Sequence, residues 1–213
     1  MNGERKTERD PRALAVNPVV RTVYFITHPD VVIDPSVAVR DWPLSQRGRD
    51  RMARALCLPW MNDVCIIWCS AERKARDGAE ILAEQRGLPV HVLEALGEND
   101  RSATGYLPSA EFEAVANLFF ARPHTSVRGW ERAVDAQRRI VEAIDQVIVN
   151  SSTSACDVAI VSHGGVGALL LCHLQGYAVS RTHDQPPNNG GNYFSFDVHT
   201  RRVLHEWQPI DGV

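Results

Sequence analysis

The sequence predicts an α/β fold: a three-layer sandwich whose mostly parallel central sheet carries helices on both faces. Three observations predict it. Short apolar runs at residues 21–27, 63–70, 89–93 and 157–163 alternate with longer segments that have apolar residues every three or four positions. The runs are rich in Val and Ile and are near-continuously apolar, as in strands buried on both faces. The chain has 213 residues, 44% of them hydrophobic, which is enough for one good-sized core. Alternating strands and helices pair their strands largely in parallel.

The elements follow in order. "RTVYFIT" (21–27) is the first strand, dense in β-branched and aromatic side chains. "PLSQRGRDRMARALCLPW" (43–60) reads as a helix entered at Ser45 and ending near Leu56. "DVCIIWCS" (63–70) is the second strand, and Ser70 is placed to cap the helix "AERKARDGAEILAEQRG", which Gly87 stops. "PVHVL" (89–93) is a third strand. An irregular polar stretch follows to Gly105. Helices are expected over 109–123, with Ser109 as the cap, and over 129–150. "DVAIVSH" (157–163) is a fourth strand and "GGVGALLLCHLQG" (164–176) a helix. "GNYFSFDVHTRRVLHEWQ" (191–208) alternates as a hairpin turning near His199 to Arg201.

Bulk properties exclude several classes. The net charge of −3 and pI of about 6.2 give no electrostatic bias toward nucleic acid or a membrane surface. No apolar run approaches the ~18 residues of a membrane span. The polar N-terminus lacks the apolar core of a signal peptide. Residues 1–18 are expected to form a loosely ordered arm, and 19–213 a single domain. An odd set of five cysteines, with no secretory signal, predicts reduced thiols in a cytoplasm. Cys65 and Cys69 point the same way along one strand but sit roughly 13 Å apart, too far to be bridged.

The chemistry gathers at strand exits. The first strand ends at His28 and the fourth at His163. The second ends at Ser70, with Glu72, Arg73 and Lys74 in the turn beyond it, and the loop after the third carries Glu98. Taken singly, each has a bland reading as a loop or surface residue. Together they fall on one topological edge, where ligands of such sheets bind.

These residues, in this order, resemble the histidine phosphatase superfamily, which includes cofactor-dependent phosphoglycerate mutases. The likeness runs from about Val20 to about Asp197. It rests on the histidine after the first strand, on "LSQRG", on "SAERKARDGAEI", on the glutamate loop and on "VSHGG". It implies a phosphoglycerate mutase-like sandwich and a nucleophilic His28 that forms a phosphohistidine. It implies that His163 donates to the transferring phosphoryl group and that Glu98 protonates the leaving oxygen, with Glu94 and Asp100 as neighbouring alternatives. It implies no cofactor and no metal. The expected partner is a phosphorylated small molecule or a phosphoprotein.

The motif departs from the family at one point that bears on catalysis. Thr27-His28-Pro29 stands where Arg-His-Gly is usual, so a bidentate phosphate grip is lost. The second family arginine aligns with Lys74, and Arg73 is one residue out of register. Thr27, Lys74 and Arg73 are therefore the phosphate-binding expectations, with Arg21 and Arg101 as further cations to watch. On this reading Thr27→Arg would raise activity. Three readings follow: a metal-independent phosphatase of phosphomonoesters or protein phosphohistidine, an impaired relative that binds a phosphorylated ligand or partner, and a metal site using His28, Asp30, His163 and His173. The last ranks lowest, because no metal-ligand spacing is present.

Overall fold

Alternate residues of the first strand leave the sheet on opposite sides, and both sides are buried. Val23 and Phe25 enter one core, Tyr24 and Ile26 the other. The same division holds along the neighbouring strand, where Val158 and Ile160 face one way and Ala159 and Val161 the other. Two cores on two faces require helices on both, which explains why these strands read as continuous apolar runs.

The computed structural model describes residues 21–152 and 156–212. The expected arm over residues 1–18 lies outside the described residues. The strands are β1 (Thr22–Thr27), β2 (Val64–Cys69), β3 (Val90–Val92), β4 (Asp157–Ser162), β5 (Asn192–Asp197) and β6 (Val203–Pro209). The helices are α1 (Gln46–Arg54), α2 (Arg73–Glu84), α3 (Ser109–Ala121), α4 (Ala133–Asn150) and α5 (Gly164–Gln175). The six-stranded sheet has the order β3-β2-β4-β1-β5-β6. β3, β2, β4 and β1 run parallel; β5 is antiparallel to both β1 and β6. This is the expected mostly parallel sandwich with its terminal hairpin.

Several element boundaries differ from the sequence expectation for local reasons. The helix expected over 43–60 is capped by Ser45, whose hydroxyl accepts the Gly48 N–H at 3.1 Å. It stops at Arg54 and continues as two short 3₁₀ turns, because Pro59 holds Leu58 extended. Ser70 does not cap α2; Glu72 occupies that position, and the Ser70 hydroxyl instead accepts the Glu72 N–H at 3.0 Å. Pro108, not Ser109, caps α3. The helix expected from residue 129 begins at Ala133, because Arg128 and Gly129 have φ of 53° and 82°.

The cysteine expectation is corrected. Cys65 and Cys156 form a disulfide across the starts of β2 and β4, with Cα atoms 5.9 Å apart, inside the range such a bridge requires. β2 is irregular between Val64 and Ile66, and Cys65 lies at that irregularity. Cys57, Cys69 and Cys172 are free thiols. Among the described residues, no helix is long and apolar enough to cross a membrane.

Candidate active site

The sheet order brings the strand exits together. β4 lies between β1 and β2, so the residues after all three strands are neighbours. Each strand extends its ladder by one bond: His28 N–H donates to the Ser162 carbonyl at 3.1 Å, and Ser70 N–H to the Val161 carbonyl at 3.1 Å. The His28 and His163 rings then stand edge to face with centroids 5.2 Å apart.

His28 lies on the wall of a cleft of about 1100 Å³. Its Nδ1 is 2.9 Å from the Pro29 carbonyl, which can only accept, so Nδ1 carries the proton. Burial lowers the pKa to about 4, and Lys74 acts in the same direction. The neutral ring therefore has its lone pair on Nε2.

His163 is fully buried, and burial holds it well below the ordinary histidine range. Its Nε2 lies 2.8 Å from the Ser70 hydroxyl and 3.4 Å from Glu72 Oε1. Its Nδ1 has no hydrogen-bond partner among the described residues, nor does Nδ2 of Asn99, a residue in the cleft wall.

Lys74 takes the in-register cation position and is buried, but its charge is already engaged. Its ammonium bonds Glu72 and donates to the Val39 carbonyl at 2.9 Å. Burial works to raise the Glu72 pKa; the Lys74 ammonium and the Glu98 N–H donated at 2.9 Å more than offset it and hold Glu72 ionised. Glu72, named at this strand exit from the sequence without an assigned role, thus sets a carboxylate against the expected cation.

Arg73 points to solvent and is not part of the cleft wall. Arg21 is held far from the site by the Cys156 and Ser151 carbonyls. Arg101 is in the cleft, its guanidinium 5.0 Å over the Phe112 ring and 6.0 Å over Trp130.

Of the three acids weighed for proton donation, Glu98 alone lines the cleft. Its carboxylate oxygens accept the Gly165 and Val166 N–H groups at 3.1 and 3.0 Å, at the start of α5. A Cβ at Gly165 would lie 2.7 Å from Glu98 Oε1, so the glycine permits that approach. Glu94 pairs with Arg40 at the surface, and Asp100 accepts the Ser102 N–H in a tight turn. Asp184 also lines the cleft, and burial raises its carboxyl pKa.

Thr27, expected to grip phosphate, is fully buried. Its hydroxyl lies 2.6 Å from Gln185 Oε1 and accepts the Asn192 N–H at 3.0 Å. An arginine there would have to displace both partners, which removes the basis for expecting a gain from Thr27→Arg. The loop 184–194 forms one wall, through Asp184, Gln185, Pro186, Pro187 and Asn189 among others.

The far wall mixes the aromatic residues Phe112, Phe119, Phe120 and Trp130 with Arg101, Glu113 and Asn117, and a smaller cavity of about 230 Å³ opens beside it, lined by Trp42 and Tyr106. Trp42 donates to the Asp34 and Val37 carbonyls and packs 5.7 Å from Tyr106, so it braces this side pocket. Among the described residues, no group of three or more His, Cys, Asp or Glu is arranged to hold a metal ion, and His173 lies outside the cleft wall.

Comparison with known proteins bears on the family and the fold. The family model of the histidine phosphatase superfamily, branch 1, matches residues 36–206, a span that begins after His28. YhfR of Bacillus stearothermophilus is 22% identical, with a TM-score of 0.72, over 87% of this chain and 95% of that one. A mycobacterial glucosyl-3-phosphoglycerate phosphatase solved with inorganic phosphate is 21% identical, with a TM-score of 0.69, over 88% and 94%. The alpha-ribazole phosphatase of Shigella flexneri is 17% identical, with a TM-score of 0.67, over 89% and 96%. Among curated proteins, none matches the sequence.

Proposed function

The chain belongs to the histidine phosphatase superfamily, and from that premise we propose that it hydrolyses phosphomonoesters through a phosphohistidine on His28. The observation that carries the reading is the tautomer. The Pro29 carbonyl holds the proton on Nδ1, and the depressed pKa keeps Nε2 unprotonated at neutral pH.

In the first step the Nε2 lone pair forms a bond to phosphorus while the bond to the leaving oxygen breaks. Glu98 gives that oxygen a proton. Water then attacks phosphorus, the N–P bond breaks, inorganic phosphate leaves, and Glu98 recovers a proton from the water. His163 Nδ1, buried and without a partner, is the group that a phosphoryl oxygen would engage. Arg101 supplies charge from the cleft wall. The cleft also admits a phosphohistidine side chain on a protein.

A second reading has one observation behind it. Glu72 engages Lys74, the cation aligned with the family's second arginine, so charge stabilisation of a transferring phosphoryl group is weakened and the protein would be an impaired relative that binds a phosphorylated ligand or partner. The deciding experiment is hydrolysis of p-nitrophenyl phosphate in EDTA, wild type beside His28→Ala, with mass spectrometry of alkali-quenched enzyme. Turnover that depends on His28, with a phosphoryl adduct on its peptide, supports the phosphatase. Phosphate binding with neither turnover nor adduct, across a panel of aryl and alkyl phosphates, overturns it in favour of the binding protein.

A further inference from the structure

The cleft lacks the arginine expected beside its nucleophile, and the structure shows what occupies the neighbourhood. Thr27 immediately precedes His28, and its hydroxyl lies 2.6 Å from Gln185 Oε1. That separation is typical of O–H···O and short for N–H···O, so the oxygen of the Gln185 amide faces Thr27. The Thr27 hydroxyl also lies 3.2 Å from the Asn192 carbonyl, the longer of its two possible acceptors, and the Asn192 side-chain amide lies 3.0 Å from the same Gln185 oxygen. Thr27 is itself fixed, because it accepts the Asn192 N–H at 3.0 Å where β1 and β5 run out.

With its oxygen held by Thr27, the amide has its nitrogen on the other side. Gln185 Nε2 makes no hydrogen bond among the described residues. It lies over the start of α5: a Cβ on Gly164 would be 2.3 Å from it, so only glycine permits the approach. Gly164 is the first residue of that helix, and its own N–H has no partner within the helix. Gln185, Gly164 and His28 line the same cleft. A glutamine serving only to tie the loop to β1 would need its oxygen alone. Here two N–H donors are also presented beside a free helix N–H and the nucleophile.

We propose that Gln185 is a phosphate-binding residue of this site, donating from Nε2 to a phosphoryl oxygen, with Thr27 and Asn192 as the residues that position it. A neutral amide held by a threonine thereby takes over part of the work of a guanidinium. The inference rests on the phosphatase reading for where the phosphoryl group lies.

The test is binding of inorganic phosphate and orthovanadate by titration calorimetry, together with hydrolysis of p-nitrophenyl phosphate. The informative variant is Gln185→Glu. It keeps an oxygen for Thr27 and Asn192 but turns the donor into an acceptor, so the fold is kept. Phosphate affinity is expected to fall at least tenfold in Gln185→Glu, and by about as much in Gln185→Leu. Thr27→Val is expected to weaken phosphate binding and raise KM, and Thr27→Ser to restore both. Wild-type hydrolysis alongside unchanged affinity in folded Gln185→Glu overturns the inference and leaves the phosphatase reading intact. Phosphate binding without hydrolysis overturns the phosphatase, while a loss of binding in Gln185→Glu still supports the amide donor. Absence of both in the wild type overturns both.

Discussion

The imidazoles of His28 and His163 stand edge to face, 5.2 Å between centroids, each following one of two hydrogen-bonded parallel strands. The pairing of Thr27 with Ser162 sets this distance, so the sheet register itself builds the catalytic pair. His28 offers a lone pair to the cleft, and His163 lies behind it, buried. Their roles therefore separate kinetically. His28→Ala is expected to lower kcat by at least about 10³-fold, as loss of a nucleophile does. His163→Asn is expected to lower kcat about 10²–10³-fold with little change in KM, as loss of a transition-state donor does. Steady-state kinetics on an aryl phosphate would check both, and equal effects on kcat and KM for His163→Asn would argue against its role.

Glu72 and Lys74 give a prediction of the opposite sign. The carboxylate engages the only buried lysine ammonium near the two histidines among the described residues, so a phosphate ion has to compete with it. Glu72→Gln keeps the shape and removes the charge. Phosphate should then bind roughly tenfold more tightly, since a charge-assisted hydrogen bond is worth about 1.5–3 kcal/mol. The same change should lower stability, because a buried ammonium loses its partner. Calorimetric titration with phosphate and a melting curve check the two halves; unchanged or weaker phosphate binding would show that Lys74 takes no part.

Much of this site was legible from strand exits alone. His28, His163 and Glu98 were found because each follows an apolar run, and sheet order alone then decides whether they meet. Lys74 was found through register, and the structure buries it while leaving Arg73 in solvent. Three things were not legible. Glu72 was named at its strand exit, but its pairing with Lys74 and its approach to His163 were not read. Gln185 reaches Thr27 from 158 residues away, through side chains that no periodicity marks. The Cys65–Cys156 bridge joins cysteines 91 residues apart, which become neighbours only once β2 and β4 pair. In each case the missing information is a tertiary contact between polar groups, which hydrophobic pattern does not encode.

The disulfide separates stability from activity. It ties the starts of β2 and β4, whereas the histidines and Ser70 follow the opposite ends of these strands and of β1. Closing a loop between residues 91 apart stabilises mainly by restricting the unfolded chain, typically by about 2–4 kcal/mol. Cys65→Ser with Cys156→Ser, or treatment with dithiothreitol, should lower Tm by several degrees and leave kcat and KM unchanged below the transition. A fall in kcat at full folding would show that the bridge also sets the site.

The buried histidines fix the direction of the acid response. Burial lowers the His28 pKa to about 4 and holds His163 well below its usual value. In the unfolded chain both titrate near ~6.5. Between about pH 6.5 and 4 the unfolded state therefore binds more protons than the folded state, and stability rises with pH. The contribution is fully present above about 6.5 and is lost as pH falls toward 4. Glu72, ionised in the fold and held below the usual carboxylate range, adds a loss that begins only below its unfolded pKa near ~4.3. In the window from about 6.5 to 4.5 the histidines act against Asp157 and Asp184, whose raised carboxyl pKa values work in the opposite direction, so the change of slope on replacing the histidines isolates their part. Melting curves across it should show wild-type Tm falling as the medium is acidified, and the slope should flatten in His28→Asn/His163→Asn. An identical slope in the double variant would mean that neither histidine is buried neutral. The tautomer that makes His28 a nucleophile would then lose its physical basis.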